Sequence, residues 1–161
     1  MYRHILLTVD GSDLSSSAIP HAAELAGSDT EVAVLEVIPT ERQLAVEMSG
    51  ALFEIVEGSS SIEEQLKSAH FVRKQHADSH VSEAVEQLRA AGVKSVQGIV
   101  TEGIAANVIL DQADQLGSNA IVMATRGHSG LGREVLGSVA EYVLRHAGPR
   151  AVVLVGPRAR A

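Results

Sequence analysis

The sequence predicts a single α/β domain built on a five-stranded parallel sheet with helices on both faces. Three observations predict it. Five short segments rich in Val, Ile and Leu recur along the 161 residues, at 5–9, 32–38, 96–101, 120–125 and 151–155. Stretches with helical apolar spacing separate them, and strand–helix alternation of this kind wraps a parallel sheet in helices. The apolar 45% of the chain is mostly Ala, Val, Leu and Ile, with two Tyr, two Phe and no Trp. That composition suits a core in which helices lie close on β-branched strands. A chain of this length buries one substantial core. Residues 1–156 are assigned to it, and 157–161 to a frayed tail.

The first helix is expected from Ser12, whose hydroxyl can cap free amides, with Leu14, Ala18, Ala22 and Leu25 as its buried stripe and Gly27 as its end. Pro20 removes one backbone hydrogen bond inside that stretch, so a kink is expected there, at a cost of about 3 kcal/mol against Ala. Residues 40–60 fit no alternation. Their apolar members, among them Leu44, Val46, Met48, Leu52, Phe53, Ile55 and Val56, suit either a short helix or flap over the sheet edge or a lid over a ligand.

A long second helix is expected over 61–91, with Ser61 and Glu64 as a capping box and Gly92 as its stop. Ile62, Leu66, Ala69, Val81, Val85 and Leu88 lie near one face of it. A third runs over 104–116 to Gly117, and a fourth from Gly137-Ser138 to about His146. Gly148-Pro149 then turns the chain into the last strand.

Composition also argues against several functions. Single-stranded nucleic-acid binders stack bases on aromatic side chains, of which this chain has few, and its formal charge of −7 repels phosphate backbones. Nucleic acid is not an expected partner. Without cysteine, neither a disulfide framework nor a thiolate metal site can form. Met1-Tyr2-Arg3-His4 runs straight into the first strand without an extended apolar segment or a small-residue cleavage site, and no apolar run approaches membrane-spanning length. A cytoplasmic protein with no membrane partner is expected.

Ligands of open parallel sheets settle beyond the carboxyl ends of the strands, where the winding direction reverses. Winding that reverses after the third strand gives the order 3-2-1-4-5 and makes the first and fourth strands neighbours. Two turns then face one crevice: Asp10-Gly11-Ser12-Asp13 after the first strand, and the long Gly127 to Gly137 loop after the fourth. Glycines in such a loop either let backbone amides close on an anion or merely let the loop wander. The helix starting at Ser138 adds free amides and a favourable dipole, which makes a phosphate chain a natural guest. Arg126 and Arg133 either add charge to that cradle or stand in solvent. An Asp before Gly at a strand end, as at Asp10, also serves as a turn former or helix cap.

Other constellations fall short. Ser129 sits in Gly-His-Ser-Gly, but the nucleophile-elbow pattern fails because Leu131 occupies its last place. His76 and His80 share a helical face with Asp78 nearby and His70 further back, without a third predictable metal ligand. No metal site and no catalytic residue are assigned. The phosphate-loop and dinucleotide fingerprints of ATPases and dehydrogenases are both absent.

Ala124, two residues, Gly127, nine residues and Gly137-Ser138 reproduce the spacing of a family signature, with Ala124 where its first glycine stands. The chain start, Ile5-Leu6-Leu7-Thr8-Val9-Asp10-Gly11-Ser12, and the ending, from Ser138-Val139-Ala140-Glu141 to Val152-Val153-Leu154-Val155, match the same family. In these segments the chain resembles the universal stress proteins over nearly its whole length, least over residues 40–60. The resemblance implies an adenine nucleotide alpha hydrolase-like fold, a homodimer paired through the C-terminal strand, and binding of ATP or AMP with or without Mg²⁺. It implies that Asp10 contacts the adenosine, with Thr8, Val9 and Val37 beside the base. Met123, Ala124 and Gly127 would line the ribose and phosphate path, and Gly137, Ser138 and Val139 would hold the phosphates. The implied role is that of a nucleotide-responsive stress regulator read by a protein partner, with at most slow ATP hydrolysis. The alternative is a dimerisation or chaperone-like module with a vestigial site, for which Ala124 is the support.

Overall fold

The five strands form one sheet in the order β3-β2-β1-β4-β5, and every neighbouring pair is parallel. The computed structural model describes residues 2–52, 61–126 and 136–157. In chain order the elements are β1 (Tyr2–Thr8), α1 (Asp13–Ser16), α2 (Ile19–Leu25), β2 (Ala26–Ile38), α3 (Glu41–Leu52), α4 (Ile62–Ala90), β3 (Ser95–Glu102), α5 (Ala105–Gln115), β4 (Ala120–Ala124), α6 (Ser138–His146) and β5 (Ala151–Val155). Residues 158–161, within the expected tail, lie outside the described residues. No described helix is long and apolar enough to cross a membrane.

Strand alternation divides the core in two. Ile5, Leu7, Val32 and Val34 face Ala18, Ala22, Val81, Val85 and Leu88 of the first helical segment and α4. Leu6, Ala33, Leu35, Ile121 and Met123 point the other way, onto Ile109 and Ala113 of α5 and Ala140 and Val143 of α6. Each of these larger side chains contributes about 1.5–3 kcal/mol by leaving water. Ala18, Ala22, Ala113 and Ala140 keep the helices close enough to the sheet to exclude it.

The first helix departs from expectation. It is two helices: Ser12 caps α1 by accepting from the Ser15 amide, and α2 begins afresh at Ile19. Pro20 therefore falls in the first turn of α2, where its missing N–H would have had no intrahelical partner. The expected kink is a break, placed where proline costs least. Gly27 does not end the helix but lies within β2, which starts earlier than expected, at Ala26. The β1–β2 register slips between Tyr2 and His4 to accommodate the extra residues. Buried Thr30 secures them, its hydroxyl donating to the Tyr2 carbonyl at 2.6 Å and accepting the Gly27 amide at 2.8 Å.

Of the unassigned stretch 40–60, residues 41–52 form α3, as the short-helix expectation has it; residues 53–60 lie outside the described residues. The capping box forms as read. Ser61 Oγ accepts from the Glu64 amide at 3.2 Å, and Glu64 Oε2 accepts from the Ser61 amide at 3.4 Å. Burial along α4 is uneven, however. Ala77, Val81, Ala84, Val85 and Leu88 are buried, whereas Ile62 and Phe71 are more than half exposed. His70 reaches within 3.3 Å of Glu102, the last residue of β3, so the turns of α4 before His70 extend past the sheet.

That asymmetry sets a stability test. Leu88→Ala empties fully buried space on the sheet side and should cost about 2–5 kcal/mol. Phe71→Ala should stay within about 0.5 kcal/mol of the parent. Urea denaturation of the two variants checks this, and equal losses would contradict the burial pattern.

Candidate functional site

Because β1 pairs with both β2 and β4, the turn after β1 and the end of β4 stand side by side at the carboxyl edge. The cleft between them has a volume of about 270 Å³. Thr8, Val9 and Asp10 border it from β1, Leu35 and Val37 from β2, and Met123 and Ala124 from β4. Gly137, Ser138 and Val139 close one side at the start of α6. Thus nine of the ten residues singled out in the sequence border one cavity. Gly127, the tenth, lies outside the described residues, as do the other residues of the loop through 135, including Arg133.

Local chemistry shapes each wall. The backbone of β1 remains tied to β2 through the Val9 amide, which donates to the Leu35 carbonyl at 2.9 Å. The next residue leaves the sheet. Asp10 Oδ1 accepts from both the amide and the hydroxyl of Ser12, at 3.0 and 2.6 Å, forming an Asx turn. The Asp10 amide donates to Ser15 Oγ at 3.2 Å. Asp10 is therefore the turn former its position suggests, and its carboxyl group is held in a fixed orientation beside the cleft.

On the opposite wall, the Gly137 amide donates to the Thr125 carbonyl at 2.8 Å. A β-carbon at Gly137 would lie 3.2 Å from that oxygen and 3.3 Å from Arg126 Cα. Only glycine lets α6 start this close to the end of β4. Gly137 at the N-cap has no side chain to cap that helix, so its first amides and the positive end of its dipole face the cleft. Ala124 occupies an ordinary strand-end conformation, since no described residue other than glycine has positive φ. Its methyl group thus sits without strain where the signature has glycine.

Sequence reasoning missed several lining residues. Ser15, Leu35, Ala105, Ile109 and Ala140 also border the cleft, while Arg126, weighed beforehand as a source of charge, does so as well. Leu35, Ile109 and Ala140 are also core residues, so the cavity is an extension of the α5–α6 side of the core. The described residues contain no cluster of three or more potential metal ligands. The ring centroids of His76 and His80 stand 6.5 Å apart, and His80 is directed to Glu36 instead.

The family model described as "Universal stress protein family" matches residues 1–155. The chain belongs to the universal stress protein family. A universal stress protein of Methanocaldococcus jannaschii is 33% identical over 159 residues, covering 98% of this chain and 85% of that protein. Another, YxiE of Bacillus subtilis, is 31% identical over 143 residues, covering 89% and 92%. Among solved structures, the universal stress protein UspA of Lactobacillus plantarum superimposes with a TM-score of 0.75 at 20% identity, covering 96% and 97% of the two chains. A universal stress protein of Archaeoglobus fulgidus, solved in complex with dAMP, gives 0.63 at 21% identity over 96% and 98%. One solved in complex with cAMP gives 0.62 at 18% identity over 96% and 97%. At these identities the structural likeness establishes the universal stress protein fold.

The close approach at Gly137 is testable without a ligand. Gly137→Val should lower stability by about 1–3 kcal/mol, by forcing α6 away from the Thr125 carbonyl. A thermal melt measures this, and an unchanged midpoint would mean the helix start has room to spare.

Proposed function

We propose that this universal stress protein binds an adenine nucleotide, ATP or AMP, in the cleft between β1 and β4, and acts as a nucleotide-responsive regulator. The observation that carries the proposal is the convergence of an apolar slot, a fixed carboxyl group and an uncapped helix start on one cavity. Val9, Leu35, Val37, Ile109 and Met123 supply apolar surface suited to a flat base, with Thr8 beside it. An ionised Asp10 accepts hydrogen bonds, which suits the hydroxyls of a ribose. Met123, Ala124 and Gly127 would flank the ribose and phosphate path. Gly137, Ser138 and Val139 at the start of α6 suit phosphate oxygens through backbone amides, and Arg126 would add a fixed positive charge. The volume lies near the lower end for small-ligand clefts, about 300 Å³, which suits a nucleoside with its phosphates leading outwards. The dAMP and cAMP complexes of the structural neighbours support the same class of ligand.

Mg²⁺, if it accompanies ATP, would be held mainly by the phosphates, with Asp10 as the nearest carboxylate. Among the described lining residues Asp10 is the one carboxylate, and none of them is His or Lys. Hydrolysis of bound ATP is accordingly slow in this proposal, and binding rather than turnover carries the signal. The ordinary backbone at Ala124 supports reading its methyl group as a tolerated variation. A cytoplasmic location, where ATP is abundant, and an as yet unidentified protein partner complete the proposal.

Denaturing the freshly purified protein and identifying released nucleotide by mass spectrometry tests the proposal, followed by titration of the stripped protein with ATP and AMP, with and without Mg²⁺. Val37→Trp, which fills the slot, should weaken binding by about tenfold or more. Absence of both released and added nucleotide would overturn the proposal and favour the module acting through protein contacts.

The proposal includes a homodimer paired through β5, whose described pairing is with β4 alone. Edge strands of this kind invite pairing across a two-fold axis. Sedimentation equilibrium should give twice the 16.9 kDa chain mass. A monomer at micromolar concentration would remove the dimer from the proposal and leave the nucleotide site untouched.

A further inference from the structure

Behind the cleft, on the other face of β2, stands a buried carboxylate. Glu36 lies between Leu35 and Val37, both of which border the cavity, and strand alternation turns it towards α4. There it meets His80, whose Nδ1 is 3.3 Å from Glu36 Oε1 and 3.1 Å from Oε2. With Glu36 ionised, the carboxylate only accepts, and Nδ1 carries the proton and donates. This bond fixes the ring plane, and the ring lies under the turn that follows β1. A β-carbon built at Gly11 would fall 2.1 Å from His80 Cε1 and 2.6 Å from both ring nitrogens.

The imidazole therefore occupies the space a side chain at position 11 would need. Gly11, at φ +77°, takes the backbone past the ring in a conformation that other residues rarely adopt. On either side of it are Asp10, which borders the cleft, and Ser12, which holds the Asp10 carboxyl group at 2.6 Å. An apolar side chain at position 36 would be the simpler filling for this face, because a buried carboxylate is costly to desolvate. The pair is thus placed where it adds orientation rather than core.

We propose that His80, oriented by Glu36, is a positioning residue for the nucleotide site: its ring props the Asp10-Gly11-Ser12 turn from behind and keeps Asp10 at the edge of the cleft. The inference rests on the proposed nucleotide reading and extends it to a pair of side chains on the opposite face of the sheet.

A double-mutant cycle with a ligand-free readout tests it. Dissociation constants for ATP are measured for the parent, His80→Ala, Gly11→Ala and the double variant, and the Ser12 amide resonance is followed by NMR without ligand. His80→Ala should weaken ATP binding by about tenfold and shift the Ser12 amide, and the double variant should bind no more weakly than Gly11→Ala alone, because removing the ring makes room for the methyl group. If His80→Ala does not fold, His80→Asn keeps a donor for Glu36 while removing the ring edge under Gly11, and carries the same cycle with the same expectations. Losses that simply add, or parental binding with an unmoved Ser12 amide, would overturn the positioning role. A parent that binds no adenine nucleotide would overturn the reading beneath it, and the Ser12 shift alone would then decide whether His80 orders the turn.

Discussion

The pairing of β1 with β4, through Ile5, Leu6 and Leu7 against Ala120, Ile121 and Val122, joins the two halves of the molecule. One half, β1-α1-α2-β2-α3-α4-β3, winds away from β1 in one direction, and the other, α5-β4-α6-β5, winds away on the far side. Where the windings part, no crossover helix among the described residues covers the carboxyl edge, so the backbone of the β1 turn and the start of α6 approach the same space. Asn119 secures the opposite end of this seam: its side-chain oxygen accepts from the amides of Arg3 and His4, each at 3.2 Å, and its own amide donates to the His4 carbonyl at 2.8 Å. With one end sewn shut by an amide side chain, the other is left open as a cleft.

The two faces of the sheet serve this arrangement differently. On the α5–α6 side, the apolar core runs directly into the cavity, so Leu35, Ile109 and Met123 belong to both. On the α4 side, polar groups rise towards the same edge: Glu36 and His80 behind the β1 turn, and Glu102 and His70 at the end of β3. Hydrophobic burial fixes where the helices lie, and the Glu36–His80 contact fixes smaller details of orientation on top of it. The division explains how a pocket wall can be soft in composition yet constrained in geometry.

Much of this was legible in the sequence because the signals were local and periodic. The apolar run at Ile5 to Val9, the Ser61–Glu64 box and the Gly137-Ser138 helix start each depend on neighbours within a few residues; the box and the helix start lie where expected, and the strand spans Tyr2–Thr8. The early start of β2 was not legible, since Gly27 reads as the end of the first helix and is held in the strand by Thr30 reaching to Tyr2. Nor was the split at Pro20, because apolar spacing runs on through Ser17 and Ala18 as though one helix continued. The His80–Glu36 contact spans 44 residues in the chain. No spacing rule connects two such residues; only the crossing of α4 over β2 does. The same holds for Ile109, whose apolar character announces burial without saying that one side of it faces a cavity.

The extension of α4 beyond β3 has a mechanical consequence. From His70 back to Ile62 the helix runs unsupported by the sheet for about 12 Å, at 1.5 Å per residue. α3 is tied to α4 one turn inside that overhang, through Glu47 and Arg73, 3.1 Å apart. The rest of α4 is clamped along Ala77 to Leu88, with His80 inside the clamp and directly behind the cleft. Such a beam, anchored on the sheet along one part, converts rotation at its anchored part into travel at its tip: about 10° becomes a displacement of about 2 Å over that overhang. A small tilt imposed at the floor of the cavity would thus be read furthest from it, at the capped start of α4.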